Sequence, residues 1–147
     1  MVIGITVFFV CVNRTENPEY KFPWIFLILT LPHIPDKKMV FCLTRSSYKH
    51  LRDADVKIYE YTPGFIHAKM LISDDDVGFV DTINMDYRSL AHHFECGAVL
   101  YKAPCLRDIH DDFENIFKVS QLIDDNFKLS AGAKLINALL AVFWALF

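Results

Sequence analysis

The sequence predicts a mixed α/β or α+β domain, on three observations. Two segments, VKIYEY at 56–61 and FIHAKMLI at 65–72, alternate apolar and polar residues and are rich in β-branched and aromatic types, the pattern of half-buried strands. One segment, Pro104 to about Ile123, carries Leu106, Ile109, Phe113, Ile116, Phe117 and Ser120 at helical spacing, behind a proline suited to a first helical position. The order strand, helix, strand, strand, strand, helix mixes both types within 147 residues, few enough for one domain and enough to bury a core.

The elements follow in order. Residues 2–12, VIGITVFFVCV, and then FPWIFLILTLP form two apolar runs around a polar stretch, NRTENPEYK. Each run has about 11 residues, against ~20 for a spanning helix. Neither has a signal-peptide layout. Two readings stand: shortened membrane helices, or strands and helices of a folded core. The first is favoured, with Tyr20 and Trp24 as interface anchors and Lys37, Lys38, Arg45 and Lys49 leaning toward a cytoplasmic domain after the second run. LPHIPDKK, with Pro32 and Pro35, reads as a turn or linker.

MVFCL (39–43) reads as a short buried strand, and Thr44 as the cap of a helix to about Asp53. After VKIYEY, Thr62-Pro63-Gly64 makes a turn. Within FIHAKMLI, period two puts Ile66, Ala68, Met70 and Ile72 on one face and His67, Lys69 and Leu71 on the other. SDDD (73–76) is a turn, VGFV (77–80) the returning strand, DTINMDYRS a loop with a helical turn, and HFECGAVLY (93–101) another strand. The final run, AKLINALLAVFWALF, is apolar nearly all round. It reads as a helix lying in a membrane interface with Trp144 near the headgroups, or as a helix packed on the sheet. The organisation expected is an anchor region over 1–35, a catalytic domain over 36–130 and a C-terminal apolar helix over 131–147.

Formal net charge is −3, which offers no electrostatic footprint for nucleic acid. Cys11, Cys42, Cys96 and Cys105 are scattered with no C-x-x-C pair, so neither a zinc site nor a disulfide framework is expected.

The chemistry-bearing residues are His67, Lys69, Asp74, Thr82, Asn84 and Glu95. His67 and Lys69 at i and i+2 of one strand would enter one pocket together. A neutral imidazole is a nucleophile or base, and an ammonium clamps phosphate oxygens. Thr82 and Asn84 add a hydroxyl and an amide able to bond the same oxygens. Glu95 among apolar neighbours is an acid whose unpaired burial would be costly.

His67-x-Lys69, four residues, Asp74, six residues, then Asp81-Thr82-Ile83-Asn84 resembles the HKD motif of the phospholipase D superfamily, H-x-K, D, then G-[ST]-x-N. Glu95 sits where that family places a carboxylate beside its histidines. PHIPDKKMVF, VKIYEYTPGFIHAKMLISDDD, TINMDYRSL and HFECGAVLY further resemble the C-terminal half of cardiolipin synthases, and ENPEYKFPWIFLILTLP resembles their membrane-anchor region.

The resemblance implies a phospholipase-D-like half-domain, a mixed sheet flanked by helices, behind one or more apolar N-terminal membrane segments. It implies catalysis by His67, Lys69 and Asp74, phosphate binding by Thr82 and Asn84, support from Glu95, and no cofactor or metal. The activity implied is transfer of a phosphatidyl group from phosphatidylglycerol through a phosphohistidine, at a bacterial cell membrane. A phospholipase-D-type hydrolase and a catalytically silent truncated remnant are the alternatives, and no nucleic-acid partner is expected. Two departures stand out. The family carries two HKD motifs per chain and this chain has one, as though a middle region were absent between the anchor and Pro35; a homodimer would supply the second. The motif glycine is Asp81, whose like charge near an anionic substrate costs on the order of 1–4 kcal/mol at ~4 Å, weakening catalysis.

Overall fold

The structure, a computed structural model, describes residues 11–12, 14–15, 24–25, 28–34, 38–73, 76–84 and 86–140. Residues 2–10 of the first apolar run, and the end of the C-terminal run at 141–147, lie outside the described residues; the end of the first run, Cys11–Val12, is strand and not the favoured membrane helix. Among the described residues the elements are β1 (Cys11–Val12), β2 (Arg14–Thr15), β3 (Trp24–Ile25), β4 (Ile28–Pro32), α1 (Lys38–Ser46), α2 (Tyr48–Arg52), β5 (Lys57–Tyr61), β6 (Met70–Ser73), β7 (Val77–Asp81), α3 (Tyr87–Ala91), β8 (Gly97–Tyr101), α4 (Cys105–Lys118), β9 (Ser120–Leu122) and α5 (Ala131–Leu140). The mixed α+β class is what the structure has.

Three sheets form. One is ordered β1-β6-β7-β8, with β1 parallel to β6 and the rest antiparallel. A second is β4-β5-β9, with β4 parallel to β5 and β9 antiparallel. The third is the small β2–β3 pair. β4, α1, α2 and β5 make a βαβ unit, the connection that parallel neighbours require. Ile28–Pro32 is therefore a core strand, with Leu29 and Leu31 almost fully buried. This tail of the second apolar run takes the core reading, not the membrane one. A parallel strand covered on both faces shows no alternation, so its sequence resembles a lipid-facing run. Among the described residues, no helix is long and apolar enough to cross a membrane.

Two apolar clusters lie on opposite sides of β5 and β6. Ile58 joins Leu29, Leu31, Tyr48, Leu51, Val56 and Ile123, with Leu71 and Phe127 packed against them. Ile72 meets Phe113 of α4, joined by Ile66, Met70, Ile109, Ile116 and Phe117. The faces predicted for 65–72 hold: Ile66, Met70 and Ile72 point to α4, and Leu71 points the other way. Gly78 lets α4 come close, since a Cβ there would sit 2.5 Å from Leu106 Cδ2.

Three expected elements change. MVFCL lies inside α1, because a short apolar run does not distinguish strand from helix by period. Thr44 is within α1, where its hydroxyl donates to the Val40 carbonyl. The helix after Pro104 ends at Lys118, and Ser120–Leu122 pairs with β5. There the open edge of the β4–β5 sheet outcompetes another helical turn.

Glu60 locks this frame together. It alternates with Tyr59, so it faces α1 and α2 while Tyr59 stacks near Phe117 at 5.0 Å on the α4 side. Its carboxylate is 1% exposed and takes four donors. Arg45 gives Nε at 2.9 Å and Nη2 at 2.6 Å, Tyr48 gives its hydroxyl at 2.8 Å, and His33 Nδ1 lies at 2.7 Å. Burial alone would push this carboxyl up; the bonds from Arg45, His33 and Tyr48 more than offset it and hold it below the usual glutamate value.

Removing the charge by Glu60→Gln leaves Arg45 uncompensated and is expected to cost about 3–5 kcal/mol in urea unfolding at pH 7. The folded value lies below the unfolded one, so this stabilisation is full above the ordinary value of 4.5 and disappears as pH falls through the lowered folded value. Wild type and variant should converge in acid; a constant gap down to the acid transition would contradict this assignment.

Candidate active site

The site forms where β6 begins, β7 ends and the chain approaches β8. Lys69 makes a bridge just ahead of β6: its carbonyl accepts the Asp81 amide at 3.0 Å. β6 proper starts at Met70, so His67 stands on an extended lead-in rather than in the ladder. Lys69 is 93% buried, being 7% exposed, whereas His67 is exposed. The Lys69 ammonium lies 3.2 Å from His67 Nε2, 3.3 Å from Nδ1 and 3.2 Å from the His67 carbonyl. Both ring nitrogens are thus within reach of the ammonium, which can donate to the unprotonated one of a neutral imidazole. Phe65 stacks on the imidazole with centroids 5.9 Å apart.

The opposite wall is Thr82 and Glu95. The Thr82 hydroxyl donates to Glu95 Oε2 at 2.5 Å and accepts the Cys96 amide at 3.1 Å; the Thr82 amide donates to the Cys96 carbonyl at 3.0 Å. Glu95 thus sits in the approach to β8, two residues ahead of Gly97 where the ladder begins, rather than inside the strand expected over 93–101. The Thr82 bond is the largest influence on this carboxyl and lowers it; the Ser89 hydroxyl, His93 and Lys69 lower it further, against a smaller desolvation effect.

Three carboxylates act on the buried Lys69 ammonium. Desolvation lowers the Lys69 value and dominates, while Asp81, Glu95 and Asp86 pull it back up. Asp86 and Ser89 were not among the residues read as functional. Asp86 Oδ1 accepts the Ser89 amide at 2.6 Å, which caps α3 and aims Ser89 at Glu95. An Asp followed three residues later by a buried Ser is a capping signal that the loop sequence already contained. Asn84 is half-buried and its Oδ1 has no partner.

Asp74 lies outside the described residues. Its neighbours Ser73 and Asp76 close the hairpin at the far end of β6, where the Asp76 amide donates to the Ser73 carbonyl at 3.3 Å. Six residues of near-extended chain from His67 to Ser73 span roughly 20 Å. Among the described residues the geometry gathers His67 with Lys69 and Thr82 with Glu95, the two pairs linked by the attraction between Lys69 and Glu95. A separate cavity of about 670 Å³ opens near that far end, lined by Asp76, Lys102, Arg107 and His110.

Asp81, where the motif has glycine, has no positive φ; the non-glycine residues with one are Asp55 and Lys102. Backbone handedness therefore does not require glycine at 81. The side chain accepts the Ile83 amide at 2.8 Å and stands opposite Gly97 in register. A Cβ on residue 97 would lie 2.6 Å from Asp81 Cβ and 3.3 Å from its Cα, so the aspartate fits because its cross-strand partner is glycine.

Gly97→Ala is expected to destabilise by about 1–3 kcal/mol through overpacking, and Asp81→Gly should remove most of that cost. Denaturation of the two single variants and the double variant measures the coupling; additive effects would show that 81 and 97 do not share the space.

The model of the cardiolipin synthase, PLD-like domain matches residues 25–118, which covers more than half of the chain and every described site residue. A Streptococcus mutans protein without an assigned function is 52% identical over 95 residues, 65% of this chain and 21% of that protein. Cardiolipin synthase 2 of Bacillus cereus is 42% identical over 100 residues, 67% of this chain and 20% of that enzyme, and cardiolipin synthase of Geobacillus kaustophilus is 41% identical over 96, or 65% and 19%. The chain spans about a fifth of the length of the curated relatives it matches. With the imidazole and ammonium together, a Thr–Glu pair facing them, and a family match that contains them all, the chain belongs to the cardiolipin-synthase-type, phospholipase-D-like domain family.

Proposed function

We propose that this chain contributes one half of a phosphatidyl-transfer site and acts on phosphatidylglycerol when a partner chain supplies a second HKD motif. The observation that carries the reading is the contact of the Lys69 ammonium with the His67 ring, with the Thr82–Glu95 pair near enough for Glu95 to act on the same ammonium. In the proposed reaction one histidine attacks the phosphorus of phosphatidylglycerol. A P–N bond forms, the P–O bond to the terminal glycerol breaks, and the histidine of the other motif gives that glycerol its proton. The same histidine then removes the proton from the glycerol hydroxyl of a second phosphatidylglycerol, which attacks phosphorus and breaks the P–N bond. The products are cardiolipin and glycerol; water as acceptor gives phosphatidic acid. Lys69, Thr82 and Asn84 would hold the phosphoryl oxygens. Asp74 is assigned by motif a catalytic part beside His67 and Lys69, and Glu95 a supporting one. The place of work would be the membrane face where the lipid lies.

Large apolar side chains stand in solvent around this half-site, which supports a partner there: Phe65 beside His67, Leu90 next to Ser89, and Phe94 next to Glu95. A second copy brought against this rim would complete the site about a twofold axis. The substitution at 81 supports a second reading, a silent half-site, because Asp81 adds a carboxylate next to Lys69.

Radiolabelled phosphatidylglycerol presented to the chain in detergent–lipid micelles should give cardiolipin, with the rate rising as the square of chain concentration. His67→Ala should lower the rate by about 10³-fold and, in excess, should poison wild type by forming mixed pairs. Asp81→Gly should raise turnover about tenfold or more. No product from wild type or from Asp81→Gly would establish the silent reading, and phosphatidic acid alone would establish hydrolysis.

A further inference from the structure

α5 wears its polarity inside out. Ser130 caps it, accepting the Ala133 amide at 3.2 Å, and the helix packs on α1 through a narrow stripe of Ala133 and Asn137. Asn137 is 7% exposed, and among the described residues neither its Oδ1 nor its Nδ2 has a partner. The leucines and isoleucine face outward instead: Leu135 is 65% exposed, Ile136 50% and Leu139 63%. Positions 131, 135 and 139 follow one another at i, i+4 and i+8, so the apolar side chains make one continuous face turned away from the protein. A helix facing water would have the opposite arrangement. The charge on the helix and on the segment leading into it past Asp125 has one sign: from Asn126 to Phe147 the charged side chains are Lys128 and Lys134, both basic. Lys134 is exposed on the flank of the face. The sequence after the helix, Ala141 to Phe147, contains no polar residue.

We propose that the Leu135–Ile136–Leu139 face of α5 docks on an anionic lipid surface, with Lys128 and Lys134 over the headgroups. An outward apolar face with basic flanks and no acid suits the boundary of an anionic bilayer. A second protein copy would bring the same lysines to the contact, and like charges would oppose it. The inference stands apart from the transfer chemistry, because α5 contributes no group to the candidate active site.

The test uses the whole chain and vesicles of phosphatidylglycerol or phosphatidylcholine. Leu135→Glu with Leu139→Glu should weaken partition onto phosphatidylglycerol vesicles about tenfold or more. Lys128→Gln and Lys134→Gln should each remove about fivefold of the preference for the anionic vesicles. A chain with Trp24→Phe, Trp144→Phe and Leu139→Trp reports on the face directly, at an exposed position where the fold is undisturbed. Its emission should shift to the blue on phosphatidylglycerol vesicles and be quenched by brominated acyl chains. Unchanged emission, equal affinity for both lipids, or undiminished partition of the glutamate variant would overturn the proposal. So would a loss of dimer without lipid in that variant, which would make the face a protein contact.

Discussion

A single buried carboxylate organises the molecule. Glu60 gathers donors from the chain after β4, from α1 and from α2, and it sits in the strand that leads, through one turn, to His67. An ion buried this deeply is tolerable only when every lone pair is met. That requirement fixes the rotation of α1 and α2 about β5, and so the side from which the first cluster closes. The Arg45 guanidinium extends the lock by lying over the Phe41 ring at 4.2 Å and near Phe127 at 5.5 Å. The turn Thr62 to Gly64 therefore starts from a rigid base, tied as well by the Thr62 hydroxyl to the Val119 carbonyl at 3.0 Å. His67 and Lys69 need that rigidity because they precede most of the β6 ladder and have little strand pairing of their own.

The strands that place the site were legible where period two is expressed. β5 came from alternation and the α4 stripe from helical spacing, while β7 came from its place as the strand returning from the 73–76 turn. β4 and α1 hid their type for one reason: both are short and apolar in sequence, and one is a strand buried on both faces. The approach of Lys69 to His67 followed from i, i+2 spacing. The Thr82–Glu95 bond did not, since it joins residues 13 apart across the end of a hairpin. Ser89 and Asp86 were hidden because their roles pass through a helix cap rather than through a motif position. Asp74 was grouped with His67 by motif alone, and it lies outside the described residues.

Lys69 shows how packing and chemistry conflict and are reconciled. Its burial opposes the charge that a phosphate clamp needs, and the carboxylates of Asp81, Glu95 and Asp86 restore part of what desolvation removes. Glu95 is not wholly available for that task, since Thr82 and Ser89 already donate to it. Asp81 is the freer charge, and it is held where it is by the Ile83 amide and by the space that Gly97 leaves. The substitution at 81 is thus locally well accommodated. Its penalty falls on ligand electrostatics and not on the fold.

That distinction bears on the proposed pairing of two chains. One half-site offers a single lysine against three nearby carboxylates, so an incoming phosphodiester meets a surplus of negative charge. A partner bearing glycine at the equivalent of 81 would bring its ammonium without the extra carboxylate. A second copy of this chain would bring both, and the handicap at the twofold axis would be counted twice. Coulomb energies add across such a site, so the benefit of removing Asp81 from both copies would multiply in the rate instead of merely doubling. Self-pairing and pairing with a glycine-bearing relative therefore differ in electrostatics even where the apolar rim of Phe65, Leu90 and Phe94 docks equally well in both. The rim would govern whether the two halves meet, and residue 81 would govern what the meeting accomplishes.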